Sequence, residues 1–469
     1  MPVFEHVSSY PHPRAEVFAW HERGGGFVRL TPPGSATIVS GPTDGIREGS
    51  ELVLRISDPV IAGLLPPVPL PGFGTGPVGL PWRVRHVDYV EGERFVDEQV
   101  AGPLRSWRHE HLFSDAPGGG TTITDRVTYE LPADVLGVGA AAVRRQLEGL
   151  FRFREAQLRD DLALHARLAA PASRIVVTGA SGLVGTQLCA LLSTGGHEVT
   201  RLVRGPAGSG EASWDPAGGR LDADALRGAD AVVHLAGASI GGRFTPRHKE
   251  AVLSSRVDGT SLIARALAGD GMPRTLVQAS AIGIYGARRP GETLTEDSAP
   301  GTGFLADVVR AWEASATAAV EAGVRAAFLR TGIALSGGGG ALLPQLPLYL
   351  VGAGGRLGAA RAWLSWITLD DLARAYVHAL FTPALSGPVN AAAPAPATNA
   401  EFARALGRAL HRPALVPTPG FGPALVLGRE GRDQLIDTDQ RVSAGKLEGS
   451  GFVFAQPALP AALDHVLAR

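Results

Sequence analysis

The chain has 469 residues and a formal net charge of -1, too long for one ordinary hydrophobic core, so two or three domains are expected. A near-neutral charge without a basic run excludes the electrostatic footprint of a nucleic-acid or anionic-membrane binder. No window reaches the roughly 18 uninterrupted apolar residues of a membrane helix, and the opening Met1-Pro2-Val3-Phe4-Glu5-His6 lacks a secretion signal, so a cytoplasmic location is expected.

From the N-terminus, segments 50–56, 82–89, 94–100, 106–113 and 121–131 alternate apolar and polar residues and read as antiparallel strands. A helix follows over about 143–167, with Leu147, Leu150, Phe151, Leu158, Leu162 and Leu164 on its apolar stripe. Strands closed by a terminal helix predict an α+β unit over residues 1–168 in which a curved sheet wraps the helix. His109 and His111 alternate on one strand. No third ligand stands at a metal-site spacing, so they read as strand histidines and no metal is assigned.

The segment Leu168-Ala169-Ala170-Pro171-Ala172-Ser173 separates this unit from a different pattern. At 174–185 a β-branched run, Ile175 to Val177, turns through Gly179, Gly182 and Gly185 into a segment where Val184, Leu188, Leu191 and Leu192 recur at helical spacing. This is how a chain seats a pyrophosphate: Gly179 permits the tight turn, Gly182 lets backbone approach the phosphates, and Gly185 allows close helix packing. Free N–H groups at the helix start attract the anion. Cys189, the only cysteine, excludes an intrachain disulfide and reads as a buried structural thiol. Strands at 198–203, 229–235, 275–280 and 326–330 alternate with helical segments and predict a doubly wound parallel sheet over 174–390. Residues 391–469 read as a small, mostly helical C-terminal lobe.

An acidic residue about 20 positions after the glycines would grip the adenosine ribose. Here the second strand ends Leu202-Val203-Arg204, and a guanidinium suits the 2′-phosphate, so NADP(H) is favoured over NAD(H). Arg201 faces the wrong way along the strand to be an equal candidate. Gly337 to Gly340, with Gly352, Gly354, Gly355 and Gly358, read as substrate-side loops.

Residues 1–165 resemble the START-like (SRPBCC, polyketide cyclase and lipid-transfer) superfamily through Pro13 to Trp20, Trp107 to Phe113, Thr124 to Leu131 and the closing helix. That resemblance implies a helix-grip fold with a hydrophobic ligand between sheet and helix. Residues 174–390 resemble the extended or atypical short-chain dehydrogenase/reductases, in the NAD(P)-dependent epimerase/dehydratase branch, a subgroup of unknown substrate. The carriers are Thr178 to Gly185, Asp230 to Ala238, Ser280-Ala281-Ile282-Gly283-Ile284-Tyr285-Gly286, Trp312-Glu313, Arg330 to Ile333, and Ser365 to Ile367 with Asp370-Asp371-Leu372. The resemblance implies cofactor contacts from Gly179, Ser181, Gly182, Leu183, Val184, Val203, Arg204, Leu235, Ala236 and Gly237. It puts Asp215 at the adenine, with Ser280 and Tyr285 as the catalytic candidates; Arg243, which with Lys249 and Arg256 puts positive charge near the loop after the fourth strand, is favoured for a cofactor phosphate. The family's Tyr-x-x-x-Lys dyad is absent, since Leu305 and Val309 stand at its positions. Tyr285 with Arg289 imitates its spacing, but Gly286 and Pro290 oppose a helix there.

Three functions follow as expectations. The first is an NADP(H)-binding epimerase or oxidoreductase acting on a small-molecule carbonyl or hydroxyl substrate. The second is a non-catalytic NADP(H) sensor or scaffold. The third is a lipid or polyketide carrier through the N-terminal domain.

Overall fold

The computed structural model describes residues 1–57, 79–131, 138–416 and 421–469. The N-terminal unit runs β1 (Val3–Tyr10), α1 (Arg14–Glu22), α2 (Gly26–Arg29), β2 (Ala36–Ser40), β3 (Glu51–Ile56), β4 (Leu80–Val90), β5 (Arg94–Ala101), β6 (Ser106–Ala116), β7 (Gly120–Glu130) and α3 (Val138–Leu168). Its seven strands form one antiparallel sheet in the order β1-β7-β6-β5-β4-β3-β2, so the first strand closes beside the last. Period-two alternation turns Phe113, Ile123 and Val127 inward, and Leu147, Phe151, Leu158 and Leu162 of α3 are buried with them.

Residues 169–173 lead into the second unit: β8 (Arg174–Thr178), α4 (Leu183–Thr194), β9 (Glu198–Val203), β10 (Glu211–Asp215), β11 (Arg220–Leu221), β12 (Ala231–His234), α5 (Pro246–Leu267), β13 (Thr275–Ala281), α6 (Phe304–Ala314), β14 (Arg325–Thr331), α7 (Leu369–Phe381) and β15 (Gly387–Ala391). The sheet order is β11-β10-β9-β8-β12-β13-β14-β15, and every pair is parallel except the short β11 edge. Helices cover both faces, which is why Val176, Val177, Val232, Val233, Leu276 and Val277 are all buried in strands without polar alternation. This is a Rossmann-like α/β sheet. Its order reverses between β8 and β12, and a ligand crevice opens at the carboxyl ends of those strands. Among the described residues no helix is long and apolar enough to cross a membrane.

The C-terminal residues add helices Asn399–Ala409, Phe421–Leu435, Gly445–Gly449 and Leu459–Val466. Thr398 and Glu401 form a reciprocal capping box at the first of these. Buried charge joins the regions. Arg29 of α2 donates to Asp161 of α3 at 2.8 and 2.9 Å, to Gln187 of α4 at 2.7 Å and to Asp370 of α7 at 3.0 Å. Gly25 and Gly34 lie so close to the second unit that a Cβ at either would stand 2.7 Å from the backbone of Ala190 or Gly338. Gly337 and Gly338 thus face the N-terminal unit, not a substrate space. Their carbonyl-lined approach to Pro33 and Gly34 needs residues without side chains.

Candidate functional site at the β8–α4 turn

The three glycines have separable reasons. Gly179 has φ +67°, the left-handed region, and a Cβ there would meet Ala236 N and Leu235 C at 2.9 Å. A Cβ at Gly185 would overlap Gly179 O and stand 2.7 Å from Ala180 Cα, so the helix can pack on the turn only with glycine. Gly182 is the N-cap of α4 and carries no capping side chain, which leaves the first-turn N–H groups of Leu183 and Val184 beside the exposed Ser181 and Gly182.

A buried device holds the switch point open. Thr178 Oγ1 accepts the Leu235 and Ala236 N–H groups at 3.1 and 3.2 Å and lies 2.7 Å from His234 Nδ1. The Thr178 proton therefore goes to Nδ1 and His234 carries its own on Nε2, which is buried without a partner. Burial alone pushes this imidazole down to about 4. Gly237 is exposed at the crevice, and Arg256 secures the loop beside it by donating to Ala238 O at 2.9 Å and stacking on Trp312 at 4.9 Å.

Val203 ends β9 and Arg204 follows it, at the carboxyl end of the strand paired beside β8, and Arg204 is exposed with no ion pair among the described residues. Arg201 is paired with Glu211 at 3.4 Å, which removes it as a competitor. Arg243 is also exposed and unpaired among the described residues, under the kink at Gly428. Asp215 stands at the end of β10 with its side chain 39% exposed. It accepts Gly218 N–H at 3.0 Å and pairs with Arg220, and so is engaged in closing its own β10–β11 turn. Lys249 is paired with Glu430 at 2.8 Å. Cys189 packs in the core, where burial pushes its thiol up to about 12.

The two catalytic candidates are placed differently from the sequence expectation. Ser280 lies at the carboxyl end of β13, but strand alternation turns it toward α6, where it is 3% exposed and donates to Glu313 Oε1 at 2.6 Å. Tyr285 is fully buried. Its hydroxyl donates to Asn390 Oδ1 at 2.7 Å and accepts Arg330 Nη1 at 3.1 Å. Burial, opposed by Arg330, raises its pKa. Arg330 in turn clamps Glu313 through both oxygens at 2.9 Å. Both hydroxyls are therefore engaged within the protein. Arg289 does not complete a dyad either, since residues 282–285 form a single 3₁₀ turn and Arg289 pairs with Glu292 from the following strand.

Leu305 and Val309 of α6 come against Gly283, at 3.6 and 3.9 Å from where its Cβ would be. The face that would present a proton donor and a lysine to the nicotinamide end is apolar. The network Ser280–Glu313–Arg330–Tyr285–Asn390 was not foreseen. Its signal was available: single charges in apolar segments, as at Arg330 closing Ala326-Ala327-Phe328-Leu329, are buried only when paired.

Comparison with known proteins agrees with the crevice. Residues 175–392 match the NAD dependent epimerase/dehydratase family, and 418–466 match a domain of unknown function, DUF1731. An epimerase family protein of Mycobacterium bovis is 40% identical over 297 residues, covering 63% of this chain and 98% of the relative. The human epimerase family protein SDR39U1 is 35% identical over 300 residues, covering 63% of this chain and all of the relative. A solved nucleoside-diphosphate sugar epimerase from Corynebacterium glutamicum superposes with a TM-score of 0.79 at 35% identity. It covers 99% of this chain and 90% of its own, so the likeness extends through the N-terminal unit. The structure of human SDR39U1 with NADPH matches at a TM-score of 0.58 and 33% identity, over 62% of this chain and 98% of that one. With the glycine turn, the switch point and these matches in hand, the chain belongs to the NAD dependent epimerase/dehydratase family.

Proposed function

We propose that this chain binds NADP(H) at the β8–α4 turn and exchanges hydride with a small carbonyl or hydroxyl compound, the accompanying proton passing to or from water in place of a Tyr-x-x-x-Lys relay. The observation that carries the reading is the seat itself: Gly179 and Gly185 are closed to any side chain, and the α4 N-terminus is uncapped. Ser181, Gly182, Leu183 and Val184 would hold the pyrophosphate, Leu235, Ala236 and Gly237 would line the ribose side, and Arg204 would meet the 2′-phosphate, with Arg243 at a phosphate edge. The NADPH bound by human SDR39U1 supports the choice of dinucleotide. When bound, the nicotinamide supplies or accepts a hydride.

The chain's own residues then do three things. Thr178 fixes the backbone under the ribose by holding the Leu235 and Ala236 amides. Leu305 and Val309 keep the nicotinamide end of α6 apolar. Ser280 and Tyr285 hold Glu313, Arg330 and Asn390 in place and do not move a proton. The N-terminal sheet wrapped on α3 supports a START-like helix-grip assignment for residues 1–168. A cavity among its described residues, lined by Tyr10, His111, Asp125 and Arg154 together with Leu30, Ile123 and Phe151, is only about 20 Å³, room for about one water.

Arg204→Glu tests the cofactor choice. NADPH affinity falls at least tenfold, while NADH affinity changes less than threefold. Equal losses for both would show that Arg204 does not read the 2′-phosphate. A second reading, an NADP(H) sensor without turnover, is favoured by the engagement of both catalytic candidates in the buried network. Stopped-flow oxidation of NADPH across a carbonyl panel separates the two, because measured hydride transfer removes the sensor.

A further inference from the structure

The concave face of the N-terminal sheet carries imidazoles and carboxylates that cofactor binding does not use. The antiparallel register sets Asp97 of β5 opposite His109 of β6, Asp125 of β7 opposite His111, and His86 of β4 opposite Asp97. One donor atom from each of Asp97, His109 and His111 falls within 4.8 Å of the others. Asp97 Oδ2 lies 3.7 Å from His109 Nδ1 and 3.4 Å from His111 Nε2. For bonds of about 2.1 Å to a tetrahedral cation the ligand-to-ligand edge is about 3.4 Å. Both distances sit near that edge; the 3.4 Å contact is also a long hydrogen bond between His111 Nε2 and Asp97, and the 3.7 Å one is beyond hydrogen-bond reach.

A second observation concerns the far side of the rings. Asp125 Oδ1 lies 3.0 Å from His109 Nε2 and 2.7 Å from His111 Nδ1. A carboxylate only accepts, so His109 Nε2, which is hydrogen-bonded to it, carries hydrogen, while His111 Nδ1 meets the same oxygen as an ion-pair contact. In a neutral ring this leaves the lone pair of His109 Nδ1 directed toward Asp97, and a metal at His111 Nε2 would replace the proton that this nitrogen shares with Asp97. A carboxylate behind each ligating imidazole is the usual way a protein fixes tautomer and ring orientation for a metal. The rings are also held by packing: His111 stacks on Phe95 at 4.1 Å and His109 meets Phe151 edge-on at 5.4 Å. The other Asp97 oxygen lies 2.6 Å from His86 Nδ1, yet neither atom gains an aligned hydrogen bond. The side chains of His109 and His111 are 2% and 9% exposed, whereas that of Asp97 keeps 23%, which gives an ion a path from solvent. Arg154 of α3, donating to Leu30 O at 3.2 Å, is the guanidinium that faces the two carboxylates.

We propose that Asp97, His109 and His111 form a two-histidine, one-carboxylate site for a divalent first-row transition metal, with Asp125 as the positioning residue and water completing the coordination. The rival is a metal-free network in which a proton on His111 joins Asp97 and Asp125. Spacing along the chain could not reveal the site, because the third ligand arrives from the neighbouring strand.

The test uses the full-length chain, free of any affinity tag, stripped with a chelator and desalted. Zn²⁺ is titrated against a chromogenic chelator, and Co²⁺ is followed by visible absorption. One equivalent of Zn²⁺ binds tightly, and Co²⁺ gives the intense bands of a four-coordinate site. His111→Gln and Asp97→Asn each weaken Zn²⁺ binding at least 100-fold, and Asp125→Asn weakens it 10- to 100-fold. Circular dichroism and NADPH binding report whether each variant is folded. X-ray absorption on the zinc-loaded wild type reads two imidazoles in an all N/O shell and needs no variant. Failure of the wild type to hold a stoichiometric equivalent overturns the proposal. So does undiminished affinity in folded His111→Gln, or a shell without imidazole.

Discussion

Tyr285 illustrates how a residue type can be right for chemistry and its setting wrong. Its hydroxyl is closed in by Asn390 and Arg330, with no exposure, so removing it leaves the Asn390 carbonyl oxygen without its donor in a buried site. Arg330 retains Glu296 O at 3.2 Å and both oxygens of Glu313. Tyr285→Phe is therefore expected to lower stability by about 1–3 kcal/mol, the cost of one unsatisfied buried polar group. NADPH affinity should stay within twofold. Equilibrium urea unfolding and fluorescence titration check the pair of outcomes. A variant of undiminished stability that loses hydride transfer would instead make Tyr285 catalytic.

At the scale of elements, the β8–β12 seam depends on the neutrality of His234. Its folded-state pKa, held at about 4 by burial, lies below the ordinary value of 6.5. The unfolded chain thus binds the proton more readily, and the stability contributed by neutral His234 is complete above pH 6.5 and lost as pH falls toward 4. Linkage gives a loss of about 2 kcal/mol by pH 5. The contribution should vanish in His234→Gln, which keeps a polar partner for Thr178 but does not titrate. Urea denaturation at pH 7 and pH 5 measures it, and equal pH slopes for both proteins would assign the acid sensitivity elsewhere. The strands of this seam were legible in the sequence because parallel buried strands appear as unbroken apolar runs rich in Val and Ile, as Ile175 to Val177 and Ala231 to Val233 do. The glycine turn was legible because backbone crowding dictates the residue type. What alternation cannot show is a partner across a strand pair. Asp97 beside His109, and Glu313 beneath Ser280, become neighbours only through register and helix packing, and the direction in which Ser280 points was hidden for the same reason.

On the scale of the whole molecule, the N-terminal unit is not a loosely tethered addition. Asp161 of α3 is fully buried and receives Arg29 of α2 and Arg374 of α7, the latter at 3.0 Å. Asp370 of the same helix α7 accepts Gln157 of α3 at 2.9 Å and, through its other oxygen, lies 3.2 Å from His465 near the C-terminus. Asp371 accepts the Ala455 and Gln456 amides at 3.0 and 2.9 Å. Three parts of the chain thus meet on the first turns of α7, and a buried network of this kind is costly to leave half made. Asp161→Asn removes the charge with little change in shape and faces Arg29 and Arg374 with a neutral amide in a site closed to water. The expected loss is about 3–5 kcal/mol, accompanied by faster proteolysis in the connecting residues 169–173. Adding Arg374→Met removes one of the two cations left short of a carboxylate, since Arg29 keeps Asp370 and Arg374 keeps Asp371, and the double variant should recover part of the loss, a non-additivity that a double-mutant cycle reads directly. A cost below about 1 kcal/mol for Asp161→Asn would mean that solvent screens these charges as it does at a surface. The two units would then be joined chiefly by backbone contacts such as those at Gly25 and Gly34.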